Sequence, residues 1–275
     1  MSAQIIDGVS IAREIESELI IRINNLDFKP ILSVIQIGNN TASSSYIKAK
    51  TKAADRVGIE LQHHHLPLGI PLNDLNSLID KLNSESNGII IQLPVPEALL
   101  SCLTRISPDK DVDGFHPINL GRLMKGEPTL LPCTPAGIIE LLTRSQYNLN
   151  GKHVVVIGRS NIVGKPLANL LINKGIDATT TICHSKTINL SQHTRAADII
   201  VVATGTPNTL TEDMVTNNSI VIDVGVNRTD NGLVGDCSSG VSNKVKAITP
   251  VPGGVGPMTV AMLMSNTVLA SERQE

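Results

Sequence analysis

KHVVVIGRSNIVGKPLANLL, residues 152–171, is the stretch on which the fold turns. Lys152–Ile157 is apolar and β-branched enough for a strand buried on both faces, and it stops at a glycine. From Gly164 to Lys174 the apolar residues recur at helical spacing. Between them lies Gly158-Arg159-Ser160-Asn161-Ile162-Val163-Gly164, so backbone N–H groups at a helix start face whatever leaves the sheet there, a geometry that suits phosphate. Further strands are expected at Ala178–Cys183, Ala197–Ala203 and Ser219–Val224. Together they make a βαβ array of the dinucleotide-binding, Rossmann type. The glycine spacing departs from GxGxxG: Ser160 stands at the middle glycine and the last glycine falls one residue late. Taken alone, the loop also reads as a plain strand-to-helix turn. The next strand sharpens it. Where an NAD-specific site carries an acid for the ribose, this chain has Cys183-His184-Ser185-Lys186-Thr187. Arg159, Ser185 and Lys186 suit a 2′-phosphate instead, so NADP is expected over NAD. His184 reads as a structural or phosphate-edge residue rather than a base.

Toward the N-terminus the same alternation appears. Helix is expected over 8–25, strand over 31–38, helix from Tyr46 to Val57 with Gly58 after its end, strand over Ile59–Leu66, helix over Pro71–Asn83 and strand over 88–96. A loop rich in Asp, Gly and Pro spans 108–135, and a helix runs from Pro135 to Arg144 with Thr134 as its N-cap. Pro257–Arg273 reads as a last amphipathic helix returning to the first half. The fold class is α/β with two α/β domains: 1–145, completed by 257–275, and a Rossmann-type domain at 146–256. The only aromatics of Phe, Tyr and Trp type are Tyr46, Tyr147, Phe28 and Phe115, so the core must be aliphatic.

A formal net charge of −2 gives no broad basic field, which argues against a nucleic-acid partner. The first residues lack a signal-peptide pattern, and no apolar run reaches the roughly 18 residues of a membrane span, so no membrane partner is expected. Cys102, Cys133, Cys183 and Cys237 are scattered without metal-ligand spacing, and read as free thiols of the reducing cytoplasm. No metal site is expected.

Tyr46 and Lys50 are four apart on one expected helix and so share a face. A lysine beside an aromatic wall can be tuned for proton transfer. Lys48 and Lys52 fall on other faces, as solvated charges. Gln92 ends an apolar strand, where side chains project from the carboxyl edge of a parallel sheet. In Lys110-Asp111-Val112-Asp113-Gly114, a turn by composition, a carboxylate can also accept two parallel N–H donors from an amino-pyrimidine. Pro250–Thr259 (PVPGGVGPMT) is a linker, or a rigid loop that lets backbone approach a flat ligand. His63-His64-His65 point to alternate faces of a strand and read as a surface edge rather than a metal site.

YIKAK, IIIQLPVP, DKDVDGFHPINLGRL, PCTPAGIIELL, GRSNIVGKPLANLL, CHSKT, IDVGVN and TPVPGGVGPMTVAMLMSNT together resemble the bifunctional methylenetetrahydrofolate dehydrogenase / methenyltetrahydrofolate cyclohydrolase family, in order along essentially the whole chain. The resemblance implies that methylenetetrahydrofolate is oxidised with NADP and the methenyl product hydrolysed to 10-formyltetrahydrofolate, in a cleft between the domains of a homodimer. It implies Lys50 as the catalytic lysine, Tyr46 stacking on the folate, Gln92 holding Lys50, and Asp113 anchoring the pterin. Leu93 and the loop containing Pro252, Gly253, Gly254, Gly256 and Thr259 match substrate-binding positions. Gly158, Arg159, Ser160, Ser185 and Val226 match NADP-contacting positions. Departures fall in surface segments such as 63–65 and a short loop at 227–234. Two rivals remain open on the sequence: a different two-domain NADP dehydrogenase, and a noncatalytic NADP sensor.

Overall fold

The computed structural model of the chain describes residues 3–230 and 232–274. In chain order the strands are β1 (Gln4–Ile5), β2 (Ile31–Ile37), β3 (Glu60–Leu66), β4 (Gly88–Ile91), β5 (His153–Ile157) and β6 (Thr179–Cys183). They continue with β7 (Ile199–Val202), β8 (Ile220–Asp223), β9 (Asn227–Thr229), β10 (Gly232–Val234) and β11 (Ala247–Ile248). The α-helices are α1 (Gly8–Ile23), α2 (Thr41–Val57), α3 (Leu72–Glu85), α4 (Pro117–Lys125), α5 (Cys133–Arg144), α6 (Gly164–Ile172), α7 (Leu190–Arg195) and α8 (Val255–Glu272). The chain forms two compact units. The first comprises Arg13–Cys133 and the chain from Val260 onward; the second comprises the chain up to Ala12 and Thr134–Thr259. These boundaries differ from the expected 145/146 and 256/257. Thr134 Oγ1 lies 2.9 Å from Thr259 Oγ1, and a Cβ on Gly137 would meet Met258 at 3.0 Å, so α5 packs within the second unit.

The first unit is built on a three-stranded parallel sheet in the order β3-β2-β4. Leu32, Val34 and Ile35 of the central strand are fully buried. α3 sets Leu75, Ile79 and Leu82 on one stripe against Ile35, Ile37, Ile89 and Ile91 of the sheet. Each such side chain contributes about 1.5–3 kcal/mol by leaving water. β3 is an edge strand, and His63 and His65 lie on its exposed face with rings stacked at 5.8 Å. His64 points the other way, 3.4 Å from the Ser33 hydroxyl.

Four expectations need correction in this unit and at its borders. The strand expected at 88–96 stops at Ile91, because Pro94 and Pro96 cannot donate to a ladder; a 3-10 segment, Glu97–Arg105, follows. The loop expected at 108–135 contains α4, with His116 accepting from Ile118 N as N-cap, Pro117 in the first turn and Gly126 left-handed at the end. Thr134 is not an N-cap, since α5 already begins at Cys133. α8 is not amphipathic: Met258, Ala261, Leu263, Met264, Thr267, Val268, Ala270 and Ser271 are buried around its circumference.

The second unit carries a six-stranded, wholly parallel sheet in the order β1-β11-β8-β7-β5-β6. β6 lies on one side of β5 and β7 on the other. The chain therefore winds outward in both directions from β5, and the switch point of the sheet falls between β5 and β7. Val155, Ile157, Ile200, Val202, Val221 and Leu210 fill the core. Within 227–234, expected as a loop, β9 and β10 pair antiparallel.

Candidate active site

α2 starts one turn earlier than expected, at Thr41, where the Asn40 side chain accepts from Ser43 N. It ends at Gly58, left-handed at φ 93°. This register turns Lys50 inward, to 8% exposure, and leaves Tyr46, one turn before it, 43% exposed. Lys48 and Lys52 are exposed. Lys50 Nζ donates to Gln92 Oε1 at 2.9 Å. Gln92 follows β4 directly; its backbone N–H donates to Ile35 O, and its side-chain Nε2 donates to Leu93 O at 3.0 Å. That second bond fixes which end of the amide faces the lysine. Gln92 is half-buried rather than buried, so one side of the pair stays open.

Asp113 comes to the same place from the loop after β4. Lys50 acts electrostatically on its carboxyl, but burial is the larger influence and pushes it above the usual carboxylate range, with Asp111 adding to the rise. Among the described residues no donor is hydrogen-bonded to the Asp113 carboxylate, so its acceptor capacity is unspent. Asp111, buried, serves the loop: its Oδ2 accepts from His116 N at 2.8 Å and Asn119 Nδ2 at 3.0 Å. Gly114 is left-handed at φ 75°, and a Cβ there would lie 2.5 Å from Leu131 C and Pro132 N. Only glycine lets the chain turn back so soon after Asp113.

In the second unit, the glycine-rich turn sits at the switch point. Gly158 has φ 124°, and a Cβ on it would lie 2.2 Å from Ala203 O at the end of β7. A Cβ on Gly164 would lie 2.1 Å from Gly158 O. The helix start is partly self-satisfied, because Ser160 Oγ accepts from Val163 N at 3.1 Å and Gly164 N at 3.4 Å. Anion contacts are therefore left to the turn itself and to exposed side chains. Arg159, Ser185 and Lys186 are exposed at the carboxyl ends of β5 and β6, and Val226 is 44% exposed beyond β8. His184 is structural: its Nδ1 accepts from Lys186 N at 3.2 Å. The fit to a dinucleotide thus rests on a cradle that a Cβ would fill and on cations where a 2′-phosphate falls.

The loop at 250–259 belongs to this unit. Gly253 has φ 109°, a Cβ on Gly254 would lie 2.7 Å from Pro250 O, and one on Gly8 would lie 1.9 Å from Gly254 O. Pro252 follows a cis peptide bond. Gly256 and Thr259 lie within the first turns of α8, so the segment is half loop and half helix.

Several residues around these sites had no sequence signal of their own. Cys133 is buried beside Asp113; its Sγ donates to Val112 O at 3.2 Å, and burial and the Asp113 charge push the thiol well up. Asn266 Nδ2 donates to Val112 O and Leu131 O, both at 2.8 Å. Asp223 and Asp236 are buried in the second unit and accept bonds from its loops. An Asp after an apolar strand is a hint, but its partners are far away in sequence. Among the described residues no cluster of His, Cys, Asp and Glu has the geometry of a metal site, and no helix is long and apolar enough to cross a membrane.

Comparison with known proteins gives a consistent picture. A family profile described as "Tetrahydrofolate dehydrogenase/cyclohydrolase, catalytic domain" matches residues 6–113, and its companion, "NAD(P)-binding domain", matches 132–275. The bifunctional protein FolD of Bacillus pumilus is 50% identical over 282 residues, with 99% of each chain covered. The crystal structure of the bifunctional enzyme FolD from Campylobacter jejuni superposes with a TM-score of 0.94 at 44% identity, covering 100% of both chains. The Trypanosoma brucei FolD structure, complexed with NADP cofactor and inhibitor, gives a TM-score of 0.93 at 37% identity, covering 100% of this chain and 99% of that one.

Proposed function

Because the chain belongs to the tetrahydrofolate dehydrogenase/cyclohydrolase family, we propose that it oxidises 5,10-methylenetetrahydrofolate to the methenyl cation with NADP and hydrolyses that cation to 10-formyltetrahydrofolate. The single observation that carries the reading is the half-buried pair of Lys50 and Gln92 beside a carboxylate with no partner. NADP, when bound, takes up a hydride equivalent from the one-carbon bridge. The chain's own residues do the rest. Gln92, locked by Leu93 O, holds the Lys50 amine in one orientation. In hydrolysis Lys50 takes a proton from the water that attacks the methenyl carbon and returns one to the ring nitrogen that departs as the ring opens. Asp113 offers two acceptor oxygens to the amino-pyrimidine edge, and Tyr46 supplies a flat wall one turn from Lys50. Leu93 in the first unit, and Pro252, Gly253, Gly254, Gly256 and Thr259 in the second, are further folate-binding candidates. Gly158, Arg159, Ser160, Ser185 and Val226 hold NADP, with Arg159 and Ser185 taking the 2′-phosphate. We assign folate chemistry to the first unit, cofactor binding to the second, and a cytoplasmic homodimer as the working form.

The test follows NADPH formation from methylenetetrahydrofolate and, separately, loss of the methenyl chromophore, in the wild type and in Lys50→Met. The variant is expected to lose hydrolysis by at least about 10²-fold, the usual worth of a placed proton-transfer group. Undiminished methenyl hydrolysis rejects the role given to Lys50, and absence of NADPH formation in the wild type rejects the activity.

A further inference from the structure

Asp236 has no part in the chemistry above, yet it gathers more donors from distant loops than any other described carboxylate near the cofactor turn. It is fully buried. Its Oδ2 accepts from Thr204 N at 2.7 Å, Thr204 Oγ1 at 3.0 Å and Gly205 N at 2.8 Å. Its Oδ1 accepts from Asn227 Nδ2 at 2.9 Å. The backbone of Asp236 is itself pinned, its N–H donating to Asp223 Oδ1 at 2.8 Å and its carbonyl accepting from Thr209 N at 2.8 Å. A Cβ on Gly225 would lie 2.1 Å from Asp236 Oδ1, so a glycine is required where the carboxylate passes.

The donors lie on two particular loops. Thr204 and Gly205 follow β7, and Asn227 follows Val226 beyond β8. In a sheet wound outward from β5, the pyrophosphate goes to the turn after β5 and the adenosine ribose to the end of β6. The nicotinamide half then extends the other way, over the carboxyl ends of β7 and β8. We infer that Asp236 is a positioning residue for the nicotinamide side of the cofactor seat, tying the loop after β7 to the loop after β8. This rests on the dehydrogenase reading above. A carboxylate is suited to the task because one buried oxygen accepts three donors at once, and charge-assisted bonds of this kind are stronger than those to a neutral amide. The antiparallel pair β9-β10 serves in turn to carry the chain back from Asn227 to Asp236.

The experiment is Asp236→Asn, which keeps the shape but places an amide NH2 against existing donors. Calorimetry measures binding of NADP and of 2′,5′-ADP, which has the adenosine and the 2′-phosphate but no nicotinamide. Turnover with methylenetetrahydrofolate and cofactor-free methenyl hydrolysis are measured alongside. The ratio of NADP to 2′,5′-ADP affinity is expected to fall about tenfold, and dehydrogenase kcat by a similar factor, as one or two misaligned bonds dictate. The folate KM and methenyl hydrolysis stay unchanged. Parallel weakening of both nucleotides, or loss of hydrolysis along with dehydrogenation, marks a general structural role and overturns the inference; so does unchanged kcat. If Asp236→Asn does not fold, Thr204→Val removes one donor at constant shape, and an unchanged nucleotide ratio and kcat there overturn it equally. A wild type that binds NADP but yields no NADPH from methylenetetrahydrofolate would instead reject the dehydrogenase reading, while the two-nucleotide comparison still decides the place of Asp236.

Discussion

Asp113 shows a cost carried by a single residue. Its carboxyl is raised above the ordinary value of 3.8, first by burial, then by Asp111, while Lys50 pulls it down without prevailing. A raised carboxylate pKa means that the folded chain holds the proton more tightly than the unfolded chain. Stability is therefore lost as pH rises from about 4 through the folded-state value, and stays lost above it. Asp113→Asn copies the protonated form. Thermal melts should show the variant with the higher Tm at neutral pH, the gap closing below about pH 4, where both forms are neutral. The same variant should bind folate more weakly, having exchanged one acceptor for a donor. A Tm at neutral pH equal to or below that of the wild type would contradict the burial cost.

At the level of elements, α8 acts on the DVDG loop through one side chain. Asn266 Nδ2 holds the carbonyls of Val112 and Leu131 on either side of the Gly114 turn. Asn266→Ala strips this donor from both carbonyls, leaving Val112 O to Cys133 Sγ alone, and is expected to cost about 1–3 kcal/mol. Urea denaturation measures that cost, and a raised folate KM should accompany it because Asp113 is adjacent to Val112. Full stability in the variant would mean that solvent reaches those carbonyls. None of this was legible in the sequence, where Asn266 is a polar residue in a helix that reads as amphipathic. What made β2, β4, β5, β7 and β8 readable was burial on both faces, which leaves a mostly aliphatic run, broken in β2 only by the buried Ser33 and Gln36. α4 was hidden for the opposite reason: Pro117 and Gly126 mark its ends, and the same residue types compose loops. β1 and β11 are two residues each and exist only by adding to a sheet already formed, so no local pattern announces them.

Across the whole molecule, Tyr46, Lys50, Gln92, Leu93 and Asp113 lie in the first unit, and Gly158, Arg159, Ser160, Ser185 and Val226 lie in the second, which also carries the folate candidates Pro252, Gly253, Gly254, Gly256 and Thr259. Spacing within α2 and at the ends of β4, β5 and β6 singled out Tyr46, Lys50, Gln92, Arg159 and Ser185, whereas Leu93 and Val226 came only from the family resemblance. The Asp236 network, drawn from residues 204, 205, 225, 227 and 236, needed the closed fold. The separation predicts that the two activities can be injured independently. Arg159 is exposed at the end of β5 and, in the proposed seat, spends its guanidinium on the 2′-phosphate alone. Arg159→Ala should then weaken NADP by about 10–100-fold, the worth of one charge-assisted phosphate contact, and leave NAD nearly unaffected. Cofactor-free methenyl hydrolysis should persist at the wild-type rate, because Lys50, Gln92 and Asp113 are untouched. Steady-state kinetics with each dinucleotide, together with the hydrolysis assay, checks all three outcomes on one variant. Equal loss for NADP and NAD would place Arg159 on the shared pyrophosphate or on the turn's own structure, and the preference for NADP would then have to come from Ser185 and Lys186.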